Sequence, residues 1–339
     1  MTTTRQFAAA PENTATEELP ADLTRRACVI RASADPSAVA NVLLTEATRT
    51  ETDRYSVEAH WPYYRATSGA GPGGSADPGA PADPLLLVET VRRASCYLSH
   101  LHYGVPHHRP SVLTSVDYTS EPAGRRAGTE AGSSRTVRID ITCTVDTDHP
   151  DLFGMSLDAG VYVGGQRVGQ VGMGWQALSP GRCDVVHRVS TPAVIGLHDR
   201  DVTLAAAGEN SWELRPGTGC SAGFGGGCGH IPGMTLLEAF HRAASLMASR
   251  SGGAESADRT WALASGAVAF EEFGEPGTPV IITATPAGEQ PRGGQFAVRV
   301  AARQGDDILA TAALLGSVTT TRSSTRSSTH SPAVADRRP

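Results

Sequence analysis

The chain has 339 residues, too many for one ordinary hydrophobic core, so two domains are expected. Hydrophobic residues make up 40% and charged residues 19%, which is enough apolar material for packed interiors. The net charge of −6, with no lysine at all, argues against nucleic acid as a main partner, because gripping a phosphate backbone needs a basic face.

Residues 1–22 are polar, carry Pro11, Glu12, Glu17 and Glu18, and are expected to be disordered. They lack the basic start and apolar run of a signal peptide, and no stretch approaches the ~20 apolar residues of a membrane span. The expectation is a cytoplasmic protein with no membrane partner. The six cysteines (28, 96, 143, 183, 220 and 228) form no C-x-x-C pair and are expected to be reduced and structural.

Strand-like runs, rich in Val, Ile and Thr or alternating apolar with polar, fall at Ala27–Ala32, Tyr55–Trp61, Val137–Val145, Gly160–Met173, Trp261–Phe270, Pro279–Ala284 and Gln295–Ala302. Gly/Pro-rich loops at 66–83 and Gly217–Gly229 each precede a helix. The first helix starts at Asp83-Pro84, an N-cap followed by proline at the first helical position, and runs to about Tyr103. The second starts near Pro232-Gly233 and runs to about Arg250. Many strands around two helices predict an α+β fold. The expected domains are residues 23–178 and 179–317, with a polar tail over 318–339.

At an offset of 149 residues, Leu87 falls on Leu236, Glu89 on Glu238, Arg93 on Arg242 and Ala94 on Ala243, which reads as an internal duplication. On the first helix Leu87, Val91, Ala94, Leu98 and Leu101 form an apolar stripe, with Glu89, Arg92, Arg93, Cys96 and His100 opposite. On the second, Leu236, Phe240, Ala243 and Met247 form the stripe, with Glu238, His241, Arg242 and Ser245 opposite. Each helix therefore sets a carboxylate three or four residues before cationic or titratable groups. As plain helix-surface pairs these contribute ~0.2–0.5 kcal/mol each. The alternative is a reactive site. A metal site from His100, His102, His107 and His108 finds no carboxylate or cysteine partner, so no metal is expected.

The run Gly229-His230-Ile231-Pro232-Gly233-Met234-Thr235-Leu236-Leu237-Glu238-Ala239 resembles the start of the central helix in hotdog enzymes. With Asp83–Thr90, Trp61-Pro62, His102-Tyr103-Gly104-Val105-Pro106 and Arg200-Asp201-Val202 it is similar to the A-factor biosynthesis family, over roughly residues 25–316. The second repeat has His241 where that family has Arg, and Gly229 where it has Asp. Dehydratases of this fold carry a catalytic His fourteen residues before the Glu; here that position is Phe224, which argues against their mechanism.

The resemblance implies two tandem hotdog domains, each an antiparallel sheet wrapped around one long helix, packed as a pseudo-dimer. It implies condensation of a β-ketoacyl group from acyl carrier protein with dihydroxyacetone phosphate, toward a γ-butyrolactone signalling molecule, without metal or other cofactor. Glu89 and Glu238 are then the candidate general bases. Arg92, Arg93 and Arg242 are candidates for holding phosphate, because guanidinium matches its oxygens bidentately. His230, Gly233 and His241 are further candidates for lining the pocket, with His230 equally readable as structural. Amides at a helix start suit a thioester oxygen as it becomes negative. Thioester hydrolysis, a different acceptor, or a non-catalytic acyl or butyrolactone sensor are the alternatives. A monomer or a homodimer is compatible with a fused pseudo-dimer.

Overall fold

A computed structural model describes residues 42–61, 82–106, 111–121, 135–146, 153–177, 202–215, 231–250, 259–275, 277–288 and 294–320. The first half contributes β1 (Leu43–Glu51), β2 (Arg54–Trp61), α1 (Pro84–His102), β3 (Ser111–Ser120), β4 (Arg135–Asp146), β5 (Phe153–Val163) and β6 (Gln166–Ala177). The second contributes β7 (Thr203–Gly208), β8 (Ser211–Arg215), α2 (Gly233–Arg250), β9 (Arg259–Phe270), β10 (Val280–Pro286), β11 (Gln295–Gln304) and β12 (Asp307–Thr320). Among the described residues both halves thus run strand, strand, helix and four strands, the duplication anticipated from the two helix motifs.

Among the described residues the strands form one sheet of twelve in the order β1-β2-β4-β5-β6-β3-β9-β12-β11-β10-β8-β7, which reads the same from either edge once each strand is replaced by its counterpart. The halves join at β3 and β9, an antiparallel seam running from Ser115 opposite Ala269 to Thr119 opposite Ser265. Each half is an antiparallel sheet packed on its own helix, and the two helices touch. This is the double-hotdog fold.

Both helices form where expected. Asp83 caps α1, its Oδ1 accepting from the Leu85 amide at 3.0 Å, and Pro84 opens the first turn, where no amide hydrogen is needed. The apolar stripes are buried as expected except at Leu101, which is half-buried. The opposite face of α1 differs: Leu86, Glu89, Thr90, Ser95 and Ser99 are buried too, because the sheet and the second helix enclose it. Thr90 Oγ1 donates to the Leu86 carbonyl at 2.6 Å and accepts from Trp61 Nε1 at 2.8 Å. Burying a side chain such as Leu87 or Phe240 contributes about 1.5–3 kcal/mol each.

The run expected as one strand over Gly160–Met173 is a hairpin. Gly164 and Gly165 take φ of +57° and +79°, the left-handed pair that a two-residue hairpin turn requires. Strands β1, β3, β7, β8 and β12 were not anticipated. β12 is rich in Ala and Leu, residues with little strand preference of their own, and is held extended by full ladders to β9 and β11. Its pairing continues through Val318, Thr319 and Thr320 opposite Trp261, Thr260 and Arg259, past the domain edge placed at 317. The expected strand Ala27–Ala32 lies outside the described residues.

A polar cluster fastens the far end of α1. Tyr103 Oη donates to Asp53 Oδ1 at 2.8 Å, and Tyr55 Oη donates to Tyr103 Oη at 3.2 Å. The Tyr55 ring stacks on His102 at 4.7 Å. The helix C-terminus is thereby tied to the turn between β1 and β2, where Asp53 itself sits at φ 55°.

Candidate active site

Glu89 lies in the second turn of α1, and its side chain has no exposed surface. Its Oε2 accepts from Arg92 Nε at 2.7 Å, while Oε1 accepts from Arg92 Nη2 at 3.0 Å and Arg93 Nε at 2.6 Å. One carboxylate is thus gripped by two guanidinium groups one turn further along the helix. Burial by itself would lower the Arg92 pKa, but attraction to and hydrogen bonding with Glu89 raise it above the ordinary arginine value. Arg93 reaches back through Nη1 to the Val42 carbonyl at 2.9 Å.

The second helix repeats part of this. Arg242 Nη2 donates to Glu238 Oε1 at 2.7 Å, and its Nη1 donates to the Val202 carbonyl. Val42 and Val202 are the buried residues just before β1 and β7, so each half pins its first strand to its helix by the same arginine. The copies differ in exposure. The Glu238 side chain is 13% exposed and that of Arg242 is 41% exposed.

They differ more at the position of Arg92, which in α2 is His241. Its Nε2 shares a hydrogen bond of 2.6 Å with the hydroxyl of Tyr118, and the two rings meet edge-on at 5.6 Å. Tyr118 belongs to β3 of the other half and is opposed across the seam by Gly266. A methyl at Gly266 would lie 2.4 Å from the Tyr118 hydroxyl, so that glycine makes room for the ring. Burial lowers the His241 pKa to about 3, so the imidazole is neutral near neutrality. Burial, with the Asp83 carboxylate adding to it, raises the Tyr118 hydroxyl well above its usual value.

Gly233 opens α2 against the seam, where an added methyl would lie 3.2 Å from the Phe270 ring and 3.3 Å from Leu113 of the other half. Whereas Asp83 caps α1, the residues before α2 are Ile231 and Pro232, which carry no capping side chain. His230 lies outside the described residues. The structure therefore brings Glu89 together with Arg92 and Arg93, and Glu238 with Arg242, but parts His241 from Glu238 and gives it to Tyr118. Sequence reasoning missed Tyr118; the only local signal was the alternation Val116, Asp117, Tyr118, which puts the tyrosine on the inner face.

Among the described residues no group of three His, Cys, Asp or Glu side chains is disposed to hold a metal ion. His100 bonds the Val105 carbonyl through Nδ1 at 2.5 Å, His102 stacks on Tyr55, and His107 and His108 lie outside the described residues. No helix among the described residues is long and apolar enough to cross a membrane.

The chain matches the A-factor biosynthesis hotdog domain over residues 20–179 and 224–320. It is 28% identical over 249 residues to a 2-oxo-3-(phosphooxy)propyl 3-oxoalkanoate synthase of Streptomyces virginiae, covering 68% of this chain and 76% of that one. A protein of the same name from Streptomyces griseus is 30% identical over 192 residues, 50% of this chain and 61% of the relative. Among solved structures, an oleoyl thioesterase (putative) from Lactobacillus plantarum superposes with a TM-score of 0.48 at 10% identity, covering 79% of this chain and 97% of that one.

Proposed function

The chain belongs to the A-factor biosynthesis hotdog family, and from that premise we propose that it is an acyltransferase joining a 3-oxoalkanoyl (β-ketoacyl) group to dihydroxyacetone phosphate. The name carried by its relatives describes the ester of those two partners. An acyl-carrier-protein thioester is the donor, and the phosphorylated ester leads on to a γ-butyrolactone-type signal.

The observation that carries this reading is Arg92. Glu89 holds one edge of its guanidinium through Nε and Nη2, and among the described residues Nη1 has no protein partner. Its side chain is 20% exposed, and the counterpart position, His241, reaches across to the other half at the seam. Arg92 is thus a fixed cation with a spare, partly exposed guanidinium edge, suited to a phosphate. Glu89 has no surface to offer a substrate and is a positioning residue for Arg92.

The base role then falls to Glu238. One turn past the start of α2, this carboxylate keeps 13% of its side chain exposed, whereas that of Glu89 keeps none. It takes the proton of the acceptor hydroxyl as that oxygen attacks the thioester carbon. The amides of Gly233 and Met234, ahead of the first amides that bond the Pro232 carbonyl, meet the oxygen that becomes negative. When the intermediate collapses the carbon–sulfur bond breaks, the ester forms, and the proton returns from Glu238 to the departing thiol.

The test is mass spectrometry of purified chain mixed with a 3-oxoacyl carrier-protein thioester and dihydroxyacetone phosphate. The expected product is the phosphorylated ester, reduced at least about 100-fold in Glu238→Gln, the scale of a lost general base. Arg92→Gln is expected to raise the KM for dihydroxyacetone phosphate. Free acid without the ester, or an undiminished Glu238→Gln, overturns the proposal.

A further inference from the structure

The two halves carry matched machinery, so the place where they differ most in charge points to a division of labour. At the shared position three residues beyond the helix glutamate, α1 has a cation, Arg92, and α2 has a neutral imidazole, His241. Whatever His241 and Tyr118 meet is not selected for negative charge. The Asp83 carboxylate acts on Tyr118 from the start of α1 and further disfavours an anion there.

The hydrogen count of the pair is independent of tautomer. A neutral tyrosine and a neutral histidine together hold two polar hydrogens, one O–H and one N–H. Their mutual bond of 2.6 Å uses one of them. If Tyr118 donates to Nε2, the Nδ1–H of His241 is left over; if Nε2 donates, the Tyr118 hydroxyl hydrogen is left over. Among the described residues neither side chain has another hydrogen-bonding partner, and His241 is partly accessible. The pair therefore presents one unspent donor in a largely desolvated place, and its natural complement is an uncharged carbonyl oxygen.

Position says which carbonyl. His241 lies three residues beyond Glu238 on α2, about 4.5 Å further along the axis at 1.5 Å per residue. A thioester carbon held beside Glu238 has its 3-oxo carbon only two bonds further along the acyl chain, a separation that matches this step along the helix. We propose that the Tyr118–His241 pair is the hydrogen-bonding site for the 3-oxo oxygen of the acyl donor and sets the preference for 3-oxoacyl over saturated acyl groups, an inference that rests on the acyl-transfer reading above. Tyr118 comes from one half and His241 from the other, so this selectivity exists only in the joined pseudo-dimer.

The experiment is calorimetric binding to the full chain of two pantetheine amides that cannot be turned over, one 3-oxoacyl and one saturated at the same length. Wild type is expected to prefer the 3-oxo compound by about tenfold, the scale of one hydrogen bond to a desolvated group. Tyr118→Phe and, independently, His241→Gln are expected to bring that ratio within about twofold while the saturated amide binds as before. Retained saturated-amide binding also shows that each variant is folded. A wild-type ratio near one, or a ratio unchanged in both variants, sinks the inference while leaving acyl transfer to dihydroxyacetone phosphate intact. Failure of wild type to bind either amide overturns the inference and the acyl-transfer reading together.

Discussion

Replacing Glu89 by glutamine keeps the side chain's shape and removes its charge, which isolates what the carboxylate contributes. It accepts three guanidinium hydrogen bonds with no exposed surface, from two arginines whose side chains are only 20% and 21% exposed. Glutamine leaves two half-buried cations facing one another and turns an amide donor toward one of them. Breaking a buried pair by removing one partner costs about 3–5 kcal/mol, mostly the stranded charge. Glu238→Gln removes a carboxylate whose arginine is 41% exposed, so solvent screens the loss and about 1 kcal/mol is expected. At about 2–4 °C per kcal/mol for a domain of this size, Glu89→Gln should lower Tm by about 6–20 °C and Glu238→Gln by about 2–4 °C. Scanning calorimetry or urea titration reads both. Adding Arg92→Met to Glu89→Gln should recover part of the loss, because one of the stranded cations is then gone. Equal melting of the two glutamine variants, or a double variant no better than Glu89→Gln, would show that the buried charge is not what Glu89 contributes.

Gly266→Ala puts a methyl 2.4 Å from the Tyr118 hydroxyl and 2.7 Å from Leu314, and should cost about 1–3 kcal/mol as overpacking, read as a lower urea midpoint. His241 has a folded-state pKa of about 3, below its ordinary value of 6.5, so the unfolded chain binds the extra proton as pH falls below about 6.5. Stability should therefore drop progressively from there toward pH 3, and His241→Gln should flatten that acid limb in urea midpoints measured against pH. Tyr103→Phe loses the bond to Asp53 and leaves that tie to the β1–β2 turn broken, for about 1 kcal/mol in the same assay.

The fold was legible where the signals are local or repeated. Asp83-Pro84 announces a helix start because the cap acts within two residues, as the bond to the Leu85 amide shows. The duplication was legible because Glu89 and Glu238 sit in like surroundings 149 residues apart, and the strand order repeats it. Ala-rich strands such as β7 and β12 were not legible, since such segments become extended only when a neighbour supplies the ladder.

Which residue types stand beside each helix glutamate follows from the order of residues alone, because helical spacing brings positions three and four apart together wherever the helix lies. That order could not tell a surface ion pair from a buried one. Glu89 and Glu238 occupy equivalent positions, and their different burial follows from what covers each helix and from the second guanidinium on Glu89. Nor could it join Tyr118 to His241, 123 residues apart and in different halves. That pairing depends on β3 and β9 meeting edge to edge and on the missing side chain of Gly266. Contacts across the seam are decided by long-range packing, which no helical or strand period encodes.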